Sequence, residues 1–192
     1  VNSAGVNNTD INTRLGWYSK RFTSDTNSTG EEGLVEFNSE DASWTGAPLQ
    51  FPRIQGGDIC GRIVQVGQGV EPKCIGSRVI VRSMQNSPNS KNPFAMQTVG
   101  SEIDGGFAQY CVTLAKEAYP VNCNWSDIEL ASIPISYSTA EGMLCRANIK
   151  NEKILITGAS GGFGTLTVKT LINQGHSVVA TMRNTESKNK GI

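Results

Sequence analysis

The sequence has a single histidine, and none of its five cysteines forms a C-x-x-C pair. The cysteines are odd in number and widely spread, which argues against a disulfide framework or a cysteine-histidine metal module. His176 follows Gly175 at a predicted helix end, where a capping role is expected, so a histidine-based acid-base or Ser-His-Asp mechanism is disfavoured. We expect reduced and mostly buried thiols at Cys60, Cys74, Cys111, Cys123 and Cys145.

The sequence also lacks net charge, a long apolar run and a secretory leader. Its 17 basic and 17 acidic side chains cancel, so no overall field attracts nucleic acid or an anionic membrane. No apolar stretch approaches the roughly 20 residues that span a bilayer. We therefore expect a cytoplasmic protein that binds a small molecule, with no nucleic acid and no membrane partner.

The 192 residues, 38% of them hydrophobic, suffice for one ordinary domain or two small ones. The first part alternates short β-rich runs with turn residues, and it predicts a small β-barrel with strands at 1–6, 60–66, 78–82 and 107–114. Two polar stretches, 23–46 and 84–100, are predicted to be long loops, either surface excursions or active-site lids. The change in character near residue 125 predicts a domain junction between 1–125 and 126–192.

Helix signals begin at Ser126. Ser126 with Glu129, and Ser138 with Glu141, match the S-x-x-E capping box, so two helices separated at Pro134 are predicted. The second helix is predicted to have one apolar face, which is more typical of core packing than of a ligand stripe, at Ala140, Met143, Leu144 and Ala147.

A glycine-rich segment follows a short apolar run at 153–157 and precedes a helix that ends near Gly175 and a second strand at 176–182. In this strand-turn-helix-strand setting, glycines let backbone N–H groups approach a pyrophosphate at the helix N-terminus. The alternative is a glycine-rich turn without a ligand. The predicted dinucleotide site comprises Gly158, Ala159, Ser160, Gly161, Gly162, Phe163 and Gly164.

The end of the second predicted strand bears on the choice of cofactor. An NAD site usually presents a carboxylate to the ribose there, but this chain has Met182 and Arg183. Arg183 could bind the 2′-phosphate of NADP through charge-assisted hydrogen bonds, or it could be a solvated loop residue. The sequence favours NADPH.

Three segments in order, G-V-N-N-T-D at 5–10, G-G-D-I-C-G at 56–61 and the glycine turn at 158–164, resemble the medium-chain dehydrogenase/reductases. The resemblance implies a GroES-like β-barrel catalytic domain followed by the start of a Rossmann nucleotide-binding domain. The zinc-type alcohol dehydrogenases of this superfamily have a cysteine and a histidine ligand where this chain has Asn7 and Gly57, and no ligand type stands near Ile135. The segment 84–100 has no cysteine for a structural zinc. The resemblance therefore implies no metal.

Without zinc the chain resembles the quinone oxidoreductase branch, whose members pass a hydride from NADPH to quinones, enones or related carbonyl substrates. Asn7, Asn8 and Tyr137 are then candidate hydrogen-bond donors, and Thr139 takes the position that packs near the nicotinamide. Alternatively, Asn7 and Asn8 cap a short helix and Tyr137 is a core residue. Asp10 and Asp58, which match acids near the zinc in zinc enzymes, could simply bond backbone.

Members of this superfamily are longer than this chain. The resemblance implies strands before Val1, further nucleotide-domain strands after Ile192 and a homodimer in the full-length form. The two-stranded remnant is expected to expose an apolar face and to self-associate. Two other functions stay open: a zinc-dependent alcohol dehydrogenase with an atypical site, and a non-catalytic member that binds NADPH.

Overall fold

A computed structural model describes residues 1–20, 40–88, 90–92, 95–150 and 152–182. It divides into two compact units, Val1–Pro134 and Ile135–Ile192. The split falls later than the predicted junction after residue 125, because the helix that follows Ser126 contacts strands of the first unit. Most of the predicted loop 23–46 lies outside the described residues, as does Arg183.

The first unit contains six strands among the described residues: β1 (Ser3–Gly5), β2 (Asp58–Arg62), β3 (Arg78–Val81), β4 (Met84–Asn86), β5 (Met96–Thr98) and β6 (Ala118–Pro120). They form an antiparallel sheet of order β1-β2-β3-β6 and a separate hairpin of β4 with β5. In the sheet, Ala4 of β1 lies opposite Ile59 of β2, and Cys60 of β2 lies opposite Ile80 of β3.

The sheet is covered on both faces. Ile59 and Val81 are buried with Val99 on one face, while Cys60 packs with Leu130 and the adjoining Ala131 on the other. This split follows from the pleat, since successive side chains of a strand point to opposite faces.

Among the described residues of the first unit, two short α-helices are present, α1 (Asn8–Leu15) and α2 (Asp127–Leu130). The predicted capping box at α2 is confirmed, because the Ser126 hydroxyl accepts from Glu129 N–H and the Glu129 carboxylate accepts from Ser126 N–H. Leu130 follows the cap and lies in the core, so the box fixes the helix that covers the second face of the sheet.

The helix α3 (Pro134–Ala147) starts earlier than its predicted cap. Proline suits the first helical turn, and the helix begins there, so Ser138 lies inside it and donates to the Ile135 carbonyl instead. The predicted second capping box is therefore wrong. Of the predicted apolar face, Ala140 and Leu144 are buried as expected, whereas Met143 and Ala147 are exposed and do not pack in the core.

The second unit confirms the predicted strand-turn-helix-strand element: β7 (Ile154–Ile156), α4 (Gly162–Asn173) and β8 (Val178–Ala180). The two strands are parallel, with Ile154 opposite Val178. The inner face of α4 buries Val168 and Leu171. None of the helices in the described ranges has the length and apolar character needed to cross a membrane.

Three sequence expectations are wrong. Residues 107–114 form no strand, and only their start, Phe107, donates a backbone hydrogen bond to the carbonyl of Gln55. The stretch 84–100 is not one long loop, since β4 pairs with β5 within it. The cysteines are free, but only Cys60 is buried.

Candidate functional site

The glycine turn of the second unit joins the end of β7 to the start of α4. Gly158 has φ +67°, a left-handed conformation that glycine adopts without a steric cost. The N–H of Ala159 donates to the Thr181 carbonyl at 3.0 Å, which ties the turn to the end of β8. Ala159 is fully buried, so its side chain packs inside and its backbone defines the path of the turn.

Gly162 and Gly164 of the turn differ in their surroundings. A Cβ on Gly164 would overlap the carbonyl oxygen of Gly158, so this glycine allows helix and turn to touch. A Cβ on Gly162 would meet nothing within 4 Å. Gly162 thus faces open space at the first residue of α4, and no packing contact requires its small size.

The start of α4 is suited to hold an anion. Gly161 is its N-cap and supplies no side-chain cap, so the first N–H groups of this 12-residue helix lack an acceptor from the cap side chain. Ser160, Gly161, Gly162 and Phe163 are all exposed. Exposed N–H groups at the positive end of a helix dipole fit a pyrophosphate. Arg183, the predicted 2′-phosphate ligand, lies outside the described residues.

In the first unit, Asn7 is the N-cap of α1. Its side chain accepts from Thr9 N–H at 3.4 Å, and its own N–H donates to the Asp10 carboxylate at 2.8 Å, which completes a capping box. Its Nδ2 donates to the Asp58 carboxylate at 3.3 Å. Both polar atoms of the Asn7 amide therefore have partners inside the protein.

The two acids beside Asn7 are buried and link α1 to β2. Asp10 accepts from Gly56 N–H at 3.2 Å, and Gln55 donates to the Asp10 carbonyl at 2.6 Å. The Gly57 carbonyl accepts from the Ser83 hydroxyl at 2.5 Å. The Asp10 carboxylate therefore accepts a hydrogen bond from the backbone, which agrees with the alternative in the sequence analysis that this acid bonds backbone.

The residues at the positions of the zinc ligands do not fit a zinc ion. The positions that match the zinc ligands hold the Asn7 amide, already engaged, and Gly57, which has no side chain, whereas Zn²⁺ takes thiolate, imidazole or carboxylate ligands. In the part of the chain that the structure describes, no group of three or more His, Cys, Asp and Glu could hold a metal ion.

The other candidate residues lie at two places. Asn8 is exposed at the first residue of α1. Tyr137 and Thr139 lie on α3, where the Thr139 hydroxyl donates to the Ile135 carbonyl at 2.6 Å and Tyr137 is 42% exposed. Among the described residues the Tyr137 hydroxyl has no hydrogen-bond partner, so it keeps its full capacity to donate to a ligand.

A hydroxyl pair beside α1 was missed by sequence reasoning. Thr9 Oγ1 and Tyr18 Oη lie 2.7 Å apart, and Tyr18 packs edge-on against Trp17 and Trp44. Burial raises the pKa of Tyr18, so its hydroxyl stays protonated at neutral pH and can hold a proton at Oη. The aromatic pair directly after Gly16 was the only local signal for it.

The first unit has the sheet and hairpin of a GroES-like domain, and the second unit has the strand-turn-helix-strand arrangement that begins a Rossmann domain. The alcohol dehydrogenase GroES-like domain family matches residues 1–123. The chain therefore belongs to this family, within the medium-chain dehydrogenase/reductase superfamily.

Individual relatives support the same assignment. L-threonine 3-dehydrogenase of Coxiella burnetii is 29% identical over 60% of this chain and 36% of its own length. Acryloyl-coenzyme A reductase of Metallosphaera sedula is 28% identical over 60% of this chain and 38% of its own. A solved alcohol dehydrogenase homologue from Sinorhizobium meliloti 1021 is 34% identical, with a TM-score of 0.70 over 92% of this chain and 46% of its own. The chain thus matches less than half the length of each of these relatives. The solved homologue also confirms the prediction that the start of a Rossmann domain follows the GroES-like domain.

Proposed function

We propose that the protein is an oxidoreductase that uses NADPH to reduce a quinone, an enone or a related carbonyl substrate without zinc. The glycine turn at the start of α4 carries this proposal, because it offers exposed N–H groups to a pyrophosphate beside a glycine with open space above it. When bound, the nicotinamide supplies the hydride.

The chain's own residues would bind and orient. The turn from Gly158 to Gly164 would hold the pyrophosphate, and Arg183 would bind the 2′-phosphate. The free hydroxyl of Tyr137 would donate a hydrogen bond to the oxygen on which charge develops, and the exposed amide of Asn8 is the candidate donor that the first unit offers to a substrate. Asn7 would position α1 rather than touch the substrate, because its amide is bonded to Thr9 and Asp58.

The substrate class rests on two considerations. The donors that match the zinc ligands do not fit zinc, which favours acceptors that need hydrogen-bond donors rather than a Lewis acid. One relative is named acryloyl-coenzyme A reductase, and acryloyl is an α,β-unsaturated acyl group. The relatives named for threonine and alcohol dehydrogenases favour a second candidate, oxidation of a secondary or primary alcohol.

The deciding experiment measures NADPH and NADH oxidation by the whole protein with a panel of quinones and enones, with and without a chelator. We expect turnover of at least one acceptor, no loss on chelation and a preference for NADPH of about tenfold or more, the value of one charge-assisted contact. Arg183→Ala should erase most of that preference, and Arg146→Ala, on α3, is the matched control.

Other outcomes select the alternatives. Near-stoichiometric zinc, with alcohol oxidation that is lost on chelation, would replace the proposal by an alcohol dehydrogenase with an atypical site. NADPH binding with no turnover of any panel member would indicate a non-catalytic protein. Equal affinities for NADPH and NADH would remove the role of Arg183.

A further inference from the structure

The first unit carries a cleft of about 560 Å³, and the glycine turn belongs to the other unit. Residues from β2, from the turn before β3 and from the segment after β6 line it, and the side chains that matter are those of Arg62, Ser77, Arg78 and Asn122. The function proposed above uses none of them.

Two like charges meet in this cleft. Arg62 of β2 lies directly opposite Arg78 of β3 in the antiparallel register, so both guanidinium groups leave the same face of the sheet. Like charges at directly opposed positions destabilise a sheet. A carboxylate or a bound anion beside such a pair offsets the repulsion.

Of the two arginines, only Arg78 has a carboxylate partner among the described residues. Arg78 donates to the carbonyl oxygens of Cys123 and Trp125 and lies 3.5 Å from the Asp127 carboxylate. Asp127 also accepts from Asn2, so its carboxylate is shared. Arg78 is thus held in place with a counter-charge.

Arg62 has much less. Its Nη1 donates to the Gly76 carbonyl at 2.9 Å, and within the described ranges it forms no ion pair and no second hydrogen bond. Over the same residues, the Ser77 hydroxyl and the Asn122 amide have no side-chain hydrogen bond. A guanidinium group, a hydroxyl and an amide therefore line one cleft with donors to spare.

We propose that this cleft binds the phosphate group of a small organic phosphate. Charge favours an anion, since two arginines face one shared carboxylate. The number of donors favours phosphate over a carboxylate, because the cleft is lined by three kinds of donor and a phosphate group offers more acceptor oxygens than the two of a carboxylate. The net charge of the chain is zero, so no overall positive field favours nucleic acid as the occupant.

Titration of the full chain with inorganic phosphate at low ionic strength tests the site, with acetate at matched ionic strength as comparison. We expect saturable phosphate binding that Arg62→Gln weakens about tenfold or more, the usual size of a lost charge-assisted contact. Lys73→Gln removes the same charge from a neighbouring turn where Lys73 is paired with Glu71, and it should change the affinity by less than about twofold.

Folding is checked in the same samples. Without phosphate, Arg62→Gln should melt no lower than the parent, because it removes one of two opposed like charges. Absence of saturable binding, equal phosphate affinity in Arg62→Gln and the parent, or acetate binding as tight as phosphate would each overturn the proposal. So would phosphate binding that Gly162→Ala abolishes and Arg62→Gln leaves intact, since that anion would lie at the glycine turn.

Discussion

Alanine substitutions at Gly164 and Gly162 should distinguish a glycine that is required for close packing from a glycine that leaves room for a ligand. Gly164 touches the Gly158 carbonyl, and a Cβ there would collide with backbone that cannot move aside. Gly162 lies two residues earlier, has no positive φ and has open space where its Cβ would point. The two changes add the same methyl group to the same helical turn.

Only one of the two substitutions should destabilise the second unit. Gly164→Ala should lower the free energy of unfolding of the second unit by about 1–3 kcal/mol, the usual cost of overpacking. Gly162→Ala should leave it unchanged or raise it by up to about 1 kcal/mol, because alanine is the better helix former. Gly162→Ala should nevertheless weaken NADPH binding, because the new methyl group occupies the approach to the N–H groups at the start of α4. We expect the NADPH affinity of this variant to fall about tenfold or more.

Urea unfolding followed by circular dichroism measures the effect on stability, since α3 and α4, the longest helices among the described residues, lie mostly in the second unit. Tryptophan fluorescence is the internal control, because Trp17, Trp44 and Trp125 all lie in the first unit. Equal destabilisation by both substitutions would refute the packing distinction. Unchanged NADPH affinity in a stable Gly162→Ala protein would show that no pyrophosphate lies over this glycine.

Three further outcomes are expected. Although burial alone would raise the pKa of Glu102, hydrogen bonds from Thr45 and Thr98 outweigh it and hold the pKa below the ordinary value of 4.5. Because the pKa is lower in the folded state, the parent should lose this stabilisation as the pH falls through 4.5 and below. In urea titrations, the difference in stability between the parent and Glu102→Gln should therefore shrink over that pH range. Asn7→Ala should cost about 1 kcal/mol of stability through the lost cap of α1 while Asn7→Ser keeps it, and a fall in kcat for a stable Asn7→Ser protein would instead place Asn7 at the substrate. Burial raises the pKa of the Cys60 thiol to about 11, so at pH 8 this buried thiol should react with a thiol reagent only on unfolding; rapid labelling of Cys60 in the folded protein would contradict the packing of α2.

Local patterns were enough for the second unit. An apolar run, a glycine turn and a helical segment follow each other within about thirty residues, and each is specified by neighbours in sequence, so β7, α4 and β8 were predicted in order. The cap of α2 was predictable for the same reason, because a capping box involves only residues three apart. The start of α3 was not, since Ser138 matched the capping pattern while Pro134 was the better first residue.

Contacts between distant residues decided the rest. Residues 107–114 are rich in side chains that favour strands, yet they form no strand, because a ladder needs a backbone partner and only Phe107 of this stretch donates a backbone hydrogen bond. The role of Asn7 likewise depends on Asp58, which β2 brings to α1 from 51 residues away.

The sequence by itself determined the family, the order of the two units and the residues of the glycine turn, because these depend on short motifs and their spacing. Only the tertiary structure decided that Asn7 is bonded inside the protein, that Gly162 and Gly164 differ in their surroundings and that Arg62 faces Arg78. The physical reason is that hydrogen-bond partners, open space and opposed charges are properties of strand register and packing, which join residues that the sequence keeps apart.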